Sequence, residues 1–201
     1  MNPLMSVKGS IVTAFVLAAI VSIWLTLLGG AEFSAHYAQA GRWLHIVSGV
    51  MWIGLLYYFN VVQVPGLADA AADKGGPGGA GVTKYIAPRA LWWFRWAAVV
   101  TWITGAYYLS MGFGANVLGQ AFMLQPGFRV IGVGAWLGTI MLFNVWGLIW
   151  PNQKKILGIV AATDEQKAKA RKIALLASRI NFVLSVPMLM CMGGQSHGLP
   201  F

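Results

Sequence analysis

The chemistry-bearing side chains of this chain are few, and the histidines are the scarcest: His36, His45 and His197. His45 stands in "RWLHIVSGVMWIGLLYYFN", residues 42–60, near the start of an apolar run. An imidazole nitrogen ligates haem iron and other transition metals, and two imidazoles from separate segments can hold one ion between them. Offsets of four, seven and eleven come close to whole helical turns, so positions 45, 49, 52 and 56 share one helical face. On that face Gly49 leaves room for a flat macrocycle against the backbone, and Trp52 offers an edge to pack on it. The plainer reading gives His45 to a loop carbonyl at a membrane interface and Gly49 to close helix packing. His36 belongs to a polar loop and reads as a surface residue.

His197 is the second candidate ligand, and lies in "MLMCMGGQSHGLPF". Met188, Met190, Cys191, Met192 and His197 are soft or borderline ligands, so copper(I) is a weaker alternative to haem there. Arg95, in "LWWFRWAAVVTW", stays charged wherever it is placed. It reads either as a partner for a propionate or other anionic group of a cofactor, or as a snorkelling interfacial cation. Asn60, Gln63, Asn144, Ser178, Arg179 and Asn181 form a further polar group. Ser178, Asn181 and Ser185 fall on one helical stripe. They would line a cavity for a quinone or polar substrate, or simply bond helix to helix.

The elements that position these groups follow from composition. Of the 201 residues, 58% are hydrophobic and 9% charged, against about a quarter charged in a soluble domain. A membrane-crossing helix takes roughly 20 apolar residues. Five stretches meet that length, near 11–28, 44–64, 90–111, 130–150 and 173–192. The expected fold is an all-α integral membrane protein, one domain of five transmembrane helices spanning residues 1–201. The first stretch follows Lys8 and precedes "LLGGAEFSA", but its apolar run is longer than a signal core and is expected to be a retained span.

Basic residues set the expected orientation. Lys8, Lys74, Lys84, Arg89 and the stretch "NQKKILGIVAATDEQKAKARK" fall on one side of a five-span chain, with Arg42 and Arg129 opposite. The positive-inside rule then places the N-terminus in the cytoplasm and the C-terminus outside. The net charge of +9 thus expresses topology and affinity for anionic lipid rather than nucleic-acid binding. "GLADAAADKGGPGGAGVTKY" reads as a glycine-rich connection, and "DEQKAKARK" as an amphipathic extension capped by Thr163 or Asp164. Trp92, Trp93 and Trp96 fit an interfacial aromatic belt.

Cys191 is the one cysteine, which excludes an internal disulfide, a CxxCH haem attachment and a cysteine-rich metal site in this chain. Glu32, Asp69, Asp73, Asp164 and Glu165, the whole acidic set, fall in expected loops or at their edges. A proton pump built on a membrane carboxylate is therefore not expected. Neither a serine-histidine-acid set nor a phosphate loop is present, so any chemistry is expected to come from a bound cofactor.

"WLHIVSGVMWIGLLYYFNVVQVP", "WWFRWAAVVTWITGAYYL", "NVWGLIWPNQKKILG" and "ASRINFVLSVPMLMCMGGQSHG" resemble the membrane region of the bacterial cytochrome-c-linked urate oxidase (urate hydroxylase) family. The histidine-glycine-tryptophan helix has a looser resemblance to haem-binding protoporphyrinogen oxidase and copper-resistance membrane proteins. The resemblance implies a multi-pass protein of the bacterial inner membrane, with haem b held by His45 and a possible second ligand in His197. It also implies electron transfer toward a cytochrome c. The family's C-terminal cytochrome c domain has no counterpart here, so the acceptor is expected to be a separate chain or a larger respiratory-type complex. The expected function is relay of electrons between a small substrate or quinone and that partner. A cofactor-free accessory subunit of a larger membrane complex is the alternative, and a copper or small-molecule transporter is third.

Overall fold

A computed structural model describes residues 2–30 and 36–200; the loop expected at Glu32 lies outside the described residues. Two compact units divide the chain, Met1–Tyr37 and Ala38–Phe201. The first holds α1 (Val7–Leu28), whose N-cap Ser6 accepts a hydrogen bond from the Gly9 amide. No residue of α1 is buried, and its most apolar window has a mean hydropathy of 2.6, as suits a helix solvated by hydrocarbon.

The second unit is a helical bundle. Its elements are α2 (Tyr37–Ala72), α3 (Ala87–Gly112), the short α4 (Val117–Phe122), α5 (Arg129–Ile156) and α6 (Asp164–His197). Each expected span lies inside one of the long helices, which run further at their ends. α2 continues through the start of the expected linker, and α6 carries the expected amphipathic extension without a break. Thr163 caps α6 in a reciprocal box with Gln166, at 3.2 and 3.0 Å, satisfying two otherwise unpaired amides.

Among the described residues four helices, α1, α2, α5 and α6, are long and apolar enough to cross a membrane. α3 has 26 residues, a sufficient length, but Arg89, Arg95 and a series of indole and phenol side chains lower its apolar character. Such amphipathic rings favour the headgroup level. Trp92, Trp93 and Trp96 are exposed on it.

Among the described residues three π turns interrupt the bundle: Tyr58–Gln63 in α2, Val82–Ile86 leading into α3, and Asn144–Ile149 in α5. Each is followed by a proline at the second position of the next helical segment: Pro65, Pro88 and Pro151. Proline removes an amide donor, and its ring collides with the carbonyl four residues back. That carbonyl belongs in each case to a residue of the π turn, and a wider turn relieves the collision.

The core is apolar around Trp52, Leu56, Phe94, Met141 and Val145. Polar bonds stitch the helices through it. Asn144 Nδ2 donates to Asn181 Oδ1 at 2.8 Å, and Asn181 Nδ2 to the Met141 carbonyl at 3.0 Å. Ser185 Oγ donates to the Phe182 carbonyl at 2.7 Å and pairs with Tyr57 Oη at 3.1 Å, and Asn60 Nδ2 donates to Ser178 Oγ at 2.9 Å. Asn181 and Ser185 are fully buried, so that stripe of α6 faces the bundle. Leaving any of these groups unpaired in a dry interior costs more than each bond contributes.

Candidate cofactor site

α2 and α3 place His45 against a helix backbone. Its Nδ1 lies 2.7 Å from the Thr101 carbonyl oxygen, which accepts only, so Nδ1 carries the proton and donates. In the neutral ring this leaves the lone pair on Nε2. A metal-binding histidine is typically fixed in this way, by donating its other ring N–H to a carbonyl or carboxylate. Gly105 makes the approach possible, because a Cβ there would come within 2.8 Å of His45 Cε1 and 2.9 Å of Nδ1.

Two cavities meet at His45. The larger, about 480 Å³, is walled by α2, α3, α4, α5 and α6 and includes Gly49, Trp52, Tyr57, Gly105, Met188 and Met192. Its size falls within the usual range for small-molecule sites, roughly 300–1,000 Å³. The second, about 370 Å³, shares His45 and Gly105 with the first and adds Arg42, Tyr108, Gln195 and His197. The last turn of α6 is brought there by Gln195, whose Oε1 accepts from the Ile131 amide at 3.0 Å while Nε2 donates to the Gly127 carbonyl at 2.8 Å. Arg42 lies with its guanidinium carbon 5.8 Å from the Tyr108 ring centre.

The residues expected to act together are sorted by this geometry. His45 and His197 border one cavity, although His197 is exposed and His45 only partly so. Gly49 lines the larger cavity and also packs on α3, since a Cβ there would meet Thr101 Cγ2 at 3.7 Å. Trp52 is 2% exposed, and its indole N–H is buried without a partner. Arg95 borders neither cavity. It is buried with its guanidinium carbon 3.3 Å from the Trp150 ring centre, a cation–π contact rather than a snorkelling pose. The soft-ligand cluster is divided, because Met188 and Met192 line the larger cavity whereas Cys191 packs where α6 meets Gly134. Among the described residues no three or more His, Cys, Asp or Glu side chains gather to hold a metal.

Gly105, Thr101 and Gln195 escaped the sequence reading. Gly105 carried a signal, since a glycine inside a helix costs about 1 kcal/mol against alanine and so invites a packing reason. Thr101 contributes a backbone atom and carried none.

The walls would suit a flat, largely apolar ring system that His45 could ligate: Nε2 keeps a lone pair, glycines line the cavity, and the Trp52 indole N–H lacks an acceptor. No curated protein and no solved structure matches the chain. Residues 116–201 match the family model for the urate oxidase N-terminal region. The quoted stretches around Trp150 and His197 fall inside that match, and those around His45 and Arg95 lie before it. From α4 to the end of α6, the chain is thus urate-oxidase-like in sequence.

Proposed function

We propose that this chain is a membrane redox protein or subunit that holds b-type haem at the His45 cavities and relays electrons between a small substrate or quinone and a separate cytochrome c. The observation that carries the reading is the bond from His45 Nδ1 to the Thr101 carbonyl beside a cavity of about 480 Å³. It orients the ring and reserves Nε2 for a ligand. His45 would hold the iron through Nε2 in this reading, and His197, which borders the adjoining cavity, would be the candidate second ligand. Gly49 and Gly105 leave the space, and Trp52 is an unused donor in the wall. Arg42, not Arg95, is the cation that borders the site. When bound, haem supplies one-electron transfer at a potential set by its ligands and the surrounding polarity.

In the same reading α3 crosses the membrane as a fifth span, with the N-terminus cytoplasmic. The His45 end then lies at the outer face, where a bacterial cytochrome c partner would meet it, and the basic residues follow the positive-inside rule. The test is a reduced-minus-oxidised absorption spectrum of protein purified with its native partners. b-type bands that disappear in His45→Ala are expected. Absent bands in the native preparation, or full haem occupancy in His45→Ala, would reject the site.

A further inference from the structure

A third cavity, about 370 Å³, lies at the other end of the bundle. Gln63 is eighteen residues beyond His45 on α2, about 27 Å along a helix of 1.5 Å rise. All three described π turns contribute to its wall: Phe59 and Gln63 from the first, Thr83 from the second and Ile149 from the third. π turns recur at functional sites because the wider turn displaces side chains and frees backbone space. Here proline forces each of them, and together they open one volume.

The polar groups in that volume are few and complementary. Gln63 Oε1 is buried with no hydrogen-bond partner, an acceptor that lacks a donor. Ser178 Oγ accepts from Asn60 Nδ2 at 2.9 Å, and its own proton remains available. The remaining wall is largely apolar, with Phe59 and Phe94 in edge-to-face contact, 5.4 Å between centres. A phosphodiester would want several donors and a buried cation, whereas Arg171, the cation bordering this cavity, is exposed. An aromatic ring bearing a hydroxyl satisfies both Gln63 and the walls.

We infer that this cavity binds the ring of a lipophilic quinol, one hydroxyl donating to Gln63 Oε1 and its oxygen accepting from Ser178. Naming the quinol deepens the redox reading and rests on it for its use, while the binding itself needs no haem. The site lies away from His45, so the two ends can be broken separately.

The experiment is equilibrium binding of decylubiquinol, and of its dimethyl ether, to the full chain in lipid nanodiscs kept under reducing conditions. The ether keeps the ring and tail but has no hydroxyl donor, and is expected to bind about tenfold more weakly. Gln63→Leu removes the unpaired acceptor, so it is expected to fold at least as well as the parent and to lose the preference for quinol over ether. Ala174→Phe, which fills the cavity, is expected to abolish binding of both, with folding checked by thermal unfolding. His45→Ala is expected to keep full quinol affinity, so loss of haem and loss of quinol report on different readings. Equal binding of quinol and ether, or parental quinol affinity in either cavity variant, overturns the inference. So does a phospholipid, rather than quinol, found by mass spectrometry to be displaced on filling the cavity.

Discussion

The two ends of the bundle make room in opposite ways. At the His45 end the helices keep regular α geometry and space comes from leaving side chains out, at Gly49, Gly54, Gly105 and Gly138. At the Gln63 end the side chains are ordinary in size and the backbone itself widens, through three π turns set by Pro65, Pro88 and Pro151. Between them the bundle is closed by Trp52, Leu56, Met141, Asn181 and Ser185, all 2% exposed or less. Removing side chains gives a smooth wall for a planar ligand, with one fixed imidazole. Widening the backbone gives a wall in which an amide such as Gln63 is left without a helical neighbour to bond. A small bundle can therefore open cavities of two different kinds at its two ends.

The sharpest break of this contrast is at the imidazole. His45→Ala is expected to abolish haem retention while leaving the Gln63 end unchanged, read by pyridine haemochrome content per protein and by quinol binding. Next is the glycine pair. Gly105→Leu drives side-chain carbon into the His45 ring, so haem content is expected to fall several-fold. Gly49→Ala meets only a methyl group at 3.7 Å, an ordinary contact, and is expected to retain haem. The reverse order would show that the backbone approach of His45 to Thr101 is unimportant. His197→Ala is expected to retain the chromophore with altered band positions, and unaltered bands would remove His197 from the ligand set.

Smaller effects test the closed middle. Asn181→Val strands Asn144 and frees the Met141 carbonyl, and is expected to cost about 1–2 kcal/mol of stability, measured by unfolding in mixed micelles. Arg95→Ala removes the stack on Trp150, with an expected loss of about 1 kcal/mol and no change in haem bands. A spectral change in that variant would return Arg95 to the cofactor site.

Much of the helical layout was legible because bilayer solvation acts on local composition. Each apolar stretch of about 20 residues predicts its own helix, and the Thr163 cap with Gln166 was readable from spacing. The stripe of Ser178, Asn181 and Ser185 was readable as inward-facing for the same periodic reason. The π turns were not legible from apolar periodicity, because a single wide turn leaves the hydrophobic run unbroken; Pro65, Pro88 and Pro151 are their local mark. The site was half legible. His45, Gly49 and Trp52 do line one cavity and His197 reaches the adjoining one. Arg95 went elsewhere, because indoles from α5 that are distant in sequence supplied a nearer surface for its guanidinium.

The sequence by itself determined where the chain becomes apolar helix and which residues share a face, since both follow from local composition and a fixed 3.6-residue period. Tertiary structure alone decided which face meets which. It put the Thr101 carbonyl opposite His45, clamped His197 to the same cavity through Gln195, and gathered three π turns around Gln63. Those outcomes depend on contacts between residues tens of positions apart, whose register is set by packing of the whole bundle rather than by any one segment.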